Sequence, residues 1–168
     1  MLDAYFSAAT PVMESEQGEI VQTVGDGLFV AFRGDGHELR AARAGLVLQE
    51  ACAAEARRRP DWPRFRVGVN SGEAHVGLVQ ARGVRSYTPT GDVVNTGARL
   101  QAQARAGEVV IAERTRAGLG VDARVEDLGE LPVKGKEQPV RAYVLRALPG
   151  RRSEDEESLQ DQNAERDR

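Results

Sequence analysis

Cysteine is nearly absent from this chain: Cys52 is the one thiol in 168 residues. It cannot close an internal disulfide, which excludes the small disulfide-stapled folds. Cys52 falls in a helical run, where a buried thiol is the expectation rather than a reactive one. No stretch approaches the roughly 20 apolar residues of a membrane span, and none has the form of a signal peptide. Membrane insertion is therefore not expected of this segment, and the expected setting is cytoplasmic. Excess positive charge is missing too. The net charge is −3, and residues 151–168 account for it with seven acids against four bases. The remainder is near neutral with no dominant basic face, which argues against nucleic acid as a partner. His75 has no His, Cys or carboxylate at metal-ligand spacing, so a zinc site has no support. The composition, 40 % hydrophobic and 29 % charged, is that of a soluble domain with a single core.

The pattern along the chain alternates helices and paired strands. Residues 1–15 carry Leu2, Tyr5, Phe6, Ala9 and Val12-Met13 at helical spacing, with Pro11 expected to disturb the helix. Residues 19–32 are two β-rich runs around Gly25-Asp26-Gly27, the signature of a tight hairpin with Asp26 at its tip. A long helix over 37–59 is expected to bury Leu39, Ala42, Leu46 and Ala53. It ends in Arg57-Arg58-Arg59-Pro60. Cations at the negative helix end followed by a proline explain that run better than nucleic-acid binding does. Residues 65–71 and 73–79 read as strands, and 80–85 as a polar loop. Gly68, Gly72 and Gly77 interrupt the strands, a cost justified where a backbone or ligand approaches closely. A helix over 93–104, a strand over 108–112 and a short helix over 113–119 follow. Two closing strands, 125–133 and 141–148, are joined by the loop 134–139. The expected class is α+β, with helices on one face of a largely antiparallel sheet. Residues 149–168 read as an acidic, disordered tail.

Within Gly91-Asp-Val-Val-Asn-Thr-Gly-Ala-Arg-Leu100, Asn95 and Arg99 are four apart. On a helix this stacks an amide and a guanidinium on one face near the N-terminus, suited to holding an anion and a hydroxyl together. With the Gly25-Asp26 hairpin and Arg66-Val-Gly-Val-Asn-Ser-Gly72, this run is similar to the class III adenylate/guanylate cyclase catalytic domain. The resemblance extends over residues 1–148. It implies a ferredoxin-like core (βαββαβ-derived) and a head-to-tail homodimer with sites at the interface. It also implies a reaction, conversion of a purine nucleoside triphosphate to 3′,5′-cyclic nucleotide and pyrophosphate with two Mg²⁺ or Mn²⁺ ions. The residue roles carried by the resemblance are Asp26 as a metal carboxylate, Asn95 for the ribose and Arg99 for charge on the α-phosphate. Lys134 is either a contact to the terminal phosphates or a surface turn lysine. Gln22 and Thr88 occupy base-reading positions where a Lys and an Asp are usual. A Gln amide can donate and accept, so it suits either purine, and Thr88 tilts the expectation to ATP over GTP.

The pattern's first strand, with its second metal carboxylate, has no counterpart. Asp3 lies in the helical run and does not replace it. The 168-residue form is therefore expected to lack that strand, to leave its neighbours with unpaired backbone groups, and to be inactive or nearly so. The alternative function is a catalytically degenerate module for dimerisation or nucleotide sensing. The Gly-Gly-Asp/Glu-Glu-Phe run of diguanylate cyclases is missing.

Overall fold

In a computed structural model, which describes residues 2–59, 62, 64–81, 84–132 and 139–149, helix α1 (Leu2–Ser15) continues unbroken past Pro11. The helix is not ended there, and Pro11 and Ser7, four residues earlier, both lie on the exposed face. The Ser7 carbonyl that loses its helical donor is thus open to water. Tyr5, Ala9 and Met13 form the opposite, buried stripe.

The hairpin follows as β1 (Glu19–Val24) and β2 (Gly27–Ala31), closed by Val24 opposite Gly27. Gly25 sits at φ 63°, the left-handed conformation that a two-residue hairpin turn with glycine first demands. Helix α2 (His37–Arg58) buries Ala42, Ala44, Gly45, Leu48 and Cys52. Ala53 is exposed instead of buried, because α2 is gripped on two sides, by α1 and by the sheet, rather than along one stripe. Its C-terminal arginines pair with Glu55, at 3.8 Å from Arg58 and 3.0 Å from Arg59. Arg59 also lies over the Trp62 ring.

The central sheet has the order β3 (Val67–Val69), β6 (Val109–Ala112), β8 (Val140–Ala147), β7 (Arg124–Leu131). Its β3–β6 pair is parallel and the others antiparallel. Strands β4 (His75–Ala81) and β5 (Val84–Thr90) form a separate ribbon. It extends beyond the short strands foreseen around the loop 80–85. The hairpin β1–β2 is likewise its own ladder. Helix α3 (Asp92–Gln103) and the short α4 (Glu113–Ala117) complete the described elements.

Alternation along β6 and β8 decides how the layers stack. Val109, Ile111, Tyr143 and Leu145 cluster with Ala42 of α2. Val110, Ala112, Ala142 and Val144 cluster with Leu100 and Ala104 at the α3 end. The helices therefore cover both faces of this sheet, and the expectation of one covered face is corrected. The reason is legible in β6 itself: all four residues are buried, and a strand apolar on both sides needs cover on both sides. A third cluster, of Tyr5, Ala9, Met13, Ala44, Leu48, Cys52 and Trp62, joins α1 to α2, with Ile20, Leu28, Val30 and Phe32 of the hairpin segment packed on it. Residues 133–138, which include Lys134, and the tail from residue 150 lie outside the described residues.

Candidate active site

The described candidate site residues are held by three parts of the fold: the β1–β2 hairpin carries Gln22 and Asp26, α3 carries Asn95 and Arg99, and β5 carries Thr88. Asp26 stands exposed at the β1–β2 tip. Gln22 is exposed on β1 opposite Phe29. A register shift between Ile20 and Gln22 leaves both Ile20 and Val21 half-buried, and beyond it Gln22, Thr23 and Val24 are all exposed, so the outer end of the hairpin is uncovered on both faces. Asp26 is near enough to Tyr5 to act on it electrostatically. The Tyr5 phenol is pushed up to about 12, first by burial and then by the charges of Cys52 and Asp26.

Helix α3 carries the second group. Thr96 and Leu100 are buried, Arg99 is half-buried and Asn95 is exposed. Burying Leu100 fully contributes about 1.5–3 kcal/mol to seating the helix. The Asn95–Arg99 pair thus lies one turn apart on the face turned away from the core, as the four-residue spacing predicted. The first turn closes with the Asn95 amide donating to the Gly91 carbonyl at 3.3 Å. Thr88 is a strand position of β5 opposite Gly77.

The hairpin residues and the α3 residues do not meet within the chain. Among the described residues, no hydrogen bond or ion pair joins Asp26 or Gln22 to Asn95 or Arg99. The hairpin packs on the α1–α2 side, whereas α3 covers the other face of the central sheet. One chain therefore carries the two groups of candidate residues on different packing clusters. Among the described residues no group of three or more His, Cys, Asp or Glu could hold a metal. Asp26, a lone exposed carboxylate, fits the part of one protein ligand to a hard divalent ion whose other ligands come from phosphate oxygens and water.

Sequence reasoning gave no role to Asn70. Its Nδ2 donates to the Val93 carbonyl at 2.9 Å, tying the loop after β3 to the first turn of α3. The available signal was parity: Gly68 and Asn70 share a strand face, opposite Val67 and Val69. Next to it, the buried Ser71 and Thr115 hydroxyls lie 3.0 Å apart and satisfy each other where water is excluded. No helix among the described residues is long and apolar enough to cross a membrane.

The fold, a mixed sheet covered by helices on both faces with two appended β-ribbons, is shared with solved nucleotide cyclase domains. The chain belongs to the adenylate and guanylate cyclase catalytic domain family, whose model matches residues 1–147. Adenylate cyclase 1 of Rhizobium meliloti is 30 % identical over 162 residues, covering 88 % of this chain. The chain spans only 24 % of that relative's length. The adenylyl cyclase CyaB from P. aeruginosa is 26 % identical with a TM-score of 0.76, over 90 % of this chain and 82 % of that one. The guanylyl cyclase Cya2 has the same fold, with a TM-score of 0.84 at 23 % identity over 90 % of this chain and 81 % of that one. Membership in this family supports a requirement for a divalent metal ion.

Proposed function

We propose that the domain converts a purine nucleoside triphosphate, ATP in preference to GTP, to 3′,5′-cyclic nucleotide and pyrophosphate. The observation that carries this reading is the Asn95–Arg99 pair, one turn apart on α3 within the residues that the family model matches. In the reaction the ribose 3′-oxygen bonds to the α-phosphorus, the bond to the β-phosphate oxygen breaks, and pyrophosphate leaves with the hydroxyl proton released. Asn95 holds the ribose so that the 3′-hydroxyl lies in line with the leaving group. Arg99 donates to the α-phosphate as negative charge builds on it, a preorganised interaction stronger in the transition state than in bound substrate. Gln22 and Thr88 meet the base edge, and Lys134 meets the terminal phosphates. Two Mg²⁺ or Mn²⁺ ions held through Asp26 would neutralise the triphosphate and acidify the hydroxyl when bound. Because Asp26 and α3 stand apart in one chain, the complete site forms in a head-to-tail homodimer, in a cytoplasmic setting.

The test is a product assay on the purified chain with ATP and GTP separately, with Mn²⁺ or Mg²⁺, resolving cyclic nucleotide by chromatography at protein concentrations high enough and times long enough to detect the low turnover expected of this form. Cyclic AMP should exceed cyclic GMP. Asp26→Asn should abolish the metal-dependent product and leave the circular dichroism unchanged. Wild-type output no higher than that of Asp26→Asn would overturn the reading.

A further inference from the structure

Two contacts seat α3 on β3, and they bracket the Asn95–Arg99 pair. At the first turn, Asn70 Nδ2 reaches the Val93 carbonyl at 2.9 Å. Two turns later the backbones meet at Gly68. A Cβ there would lie 2.4 Å from the Gly97 oxygen and 2.3 Å from the Gln101 nitrogen. No side chain separates strand from helix at that point, so helix height is fixed by backbone contact and cannot be absorbed by a rotamer change. Gly97 is two residues from both Asn95 and Arg99, which is about 200° around the helix. The pair therefore projects directly away from the surface that Gly68 and Asn70 define. A helix held at two points along its length can neither slide nor roll, and any loosening of either contact displaces both functional groups together.

We infer that Asn70 is a positioning residue for Asn95 and Arg99, acting through the first turn of α3, with Gly68 as its second anchor. The inference deepens the proposed function and rests on its assignment of Arg99. Val93 is already an acceptor position within the helix, so the Asn70 bond adds no missing partner to the ladder. Its effect is to tether the helix end to the strand. A misplacement of about 1 Å can cost about 10²-fold in rate, so a single tether can matter to turnover without being needed for folding.

The experiment replaces Asn70 with Asp, which keeps the shape and removes the donor, alone and in an Arg99→Ala background. If Asn70 works through Arg99, Asn70→Asp should lower kcat by about 10-fold or more, with KM changed by less than about 2-fold. In the Arg99→Ala background the same change should lower kcat/KM by less than about 2-fold, because there is no longer a guanidinium to misplace. Unchanged kcat, or an equal loss in both backgrounds, would overturn the inference. Amide hydrogen exchange of the nucleotide-free chain separates its failure from that of the proposed function. Should the wild type make no cyclic nucleotide, faster exchange at residues 95–99 in Asn70→Asp, with α2 unchanged, still supports the tether. Identical exchange in the two proteins overturns it.

Discussion

Tyr5 is where burial and charge meet most clearly on a single side chain. It is buried, with its ring stacked on Phe65 at 3.9 Å and 17°, and burial does more than neighbouring charge to hold its phenol up to about 12. Folding thus favours the neutral phenol, whose ordinary value is 10.0. Stability from this group is fully present below pH 10 and is lost as pH rises towards about 12. Denaturant unfolding across that window should show a steeper alkaline decline for the wild type than for Tyr5→Phe. Parallel curves would remove Tyr5 from the account, since Tyr143, raised chiefly by its bond to Glu113, is common to both. Cys52 follows the same logic: burial pushes its thiol up, with a Trp62 contact opposing. A thiol reagent should therefore label the native chain far more slowly than the unfolded one. At the site, Arg99→Ala should lower kcat by about 10²-fold or more, the scale of losing one transition-state donor. Collapse of nucleotide binding with turnover at saturation intact would show that Arg99 serves ground-state binding instead.

Elements behave as periodicity dictates wherever one face is apolar, and depart from it where two faces are. The tight hairpin was readable because Gly25-Asp26 leaves few other conformations between two β-rich runs. The outer face of α3 was readable because four-residue spacing fixes which side chains share it. Helix α2 was misread at Ala53, since a one-stripe pattern cannot show that a helix is packed between α1 and a sheet. The covering of both sheet faces was written in the unbroken apolar run of β6, which admits either a buried helix segment or a doubly covered strand until its neighbours are known. The role of Asn70 lay beyond the sequence because its partner, Val93, is 23 residues away and contributes only a carbonyl. Pro11 offers the test at this scale. It sits in α1 on the exposed face, where the helix tolerates the missing N–H without benefiting from it. Pro11→Ala restores a donor to the Ser7 carbonyl and should stabilise the chain by about 1–3 kcal/mol. That raises the melting temperature by several degrees. An unchanged or lower value would mean that the fixed Pro11 backbone, through its effect on the unfolded chain, outweighs the recovered bond.

At the scale of the whole molecule, the groups to which the proposed function assigns the chemistry lie in two places, and that proposal makes a demand on assembly. In a two-fold head-to-tail dimer, the hairpin tip of one protomer faces α3 of its twin, and the operation repeated gives two equivalent composite sites. Each site then needs Asp26 from one chain and Arg99 from the other. Consider Asp26→Asn and Arg99→Ala proteins, each inactive alone because both of its sites carry the defect. Mixed and allowed to exchange, half of the dimers would be heterodimers. In each of these, one composite site collects both defects and the other collects neither. Recovered activity should approach roughly a quarter of that of the same amount of wild type, and should rise with protein concentration as dimers form. A site completed within one chain behaves differently. Each protomer then keeps its own defect whatever its partner, so mixing recovers nothing at any concentration. The mixing experiment therefore separates the two architectures by the presence or absence of a signal, and it needs no knowledge of which purine is preferred.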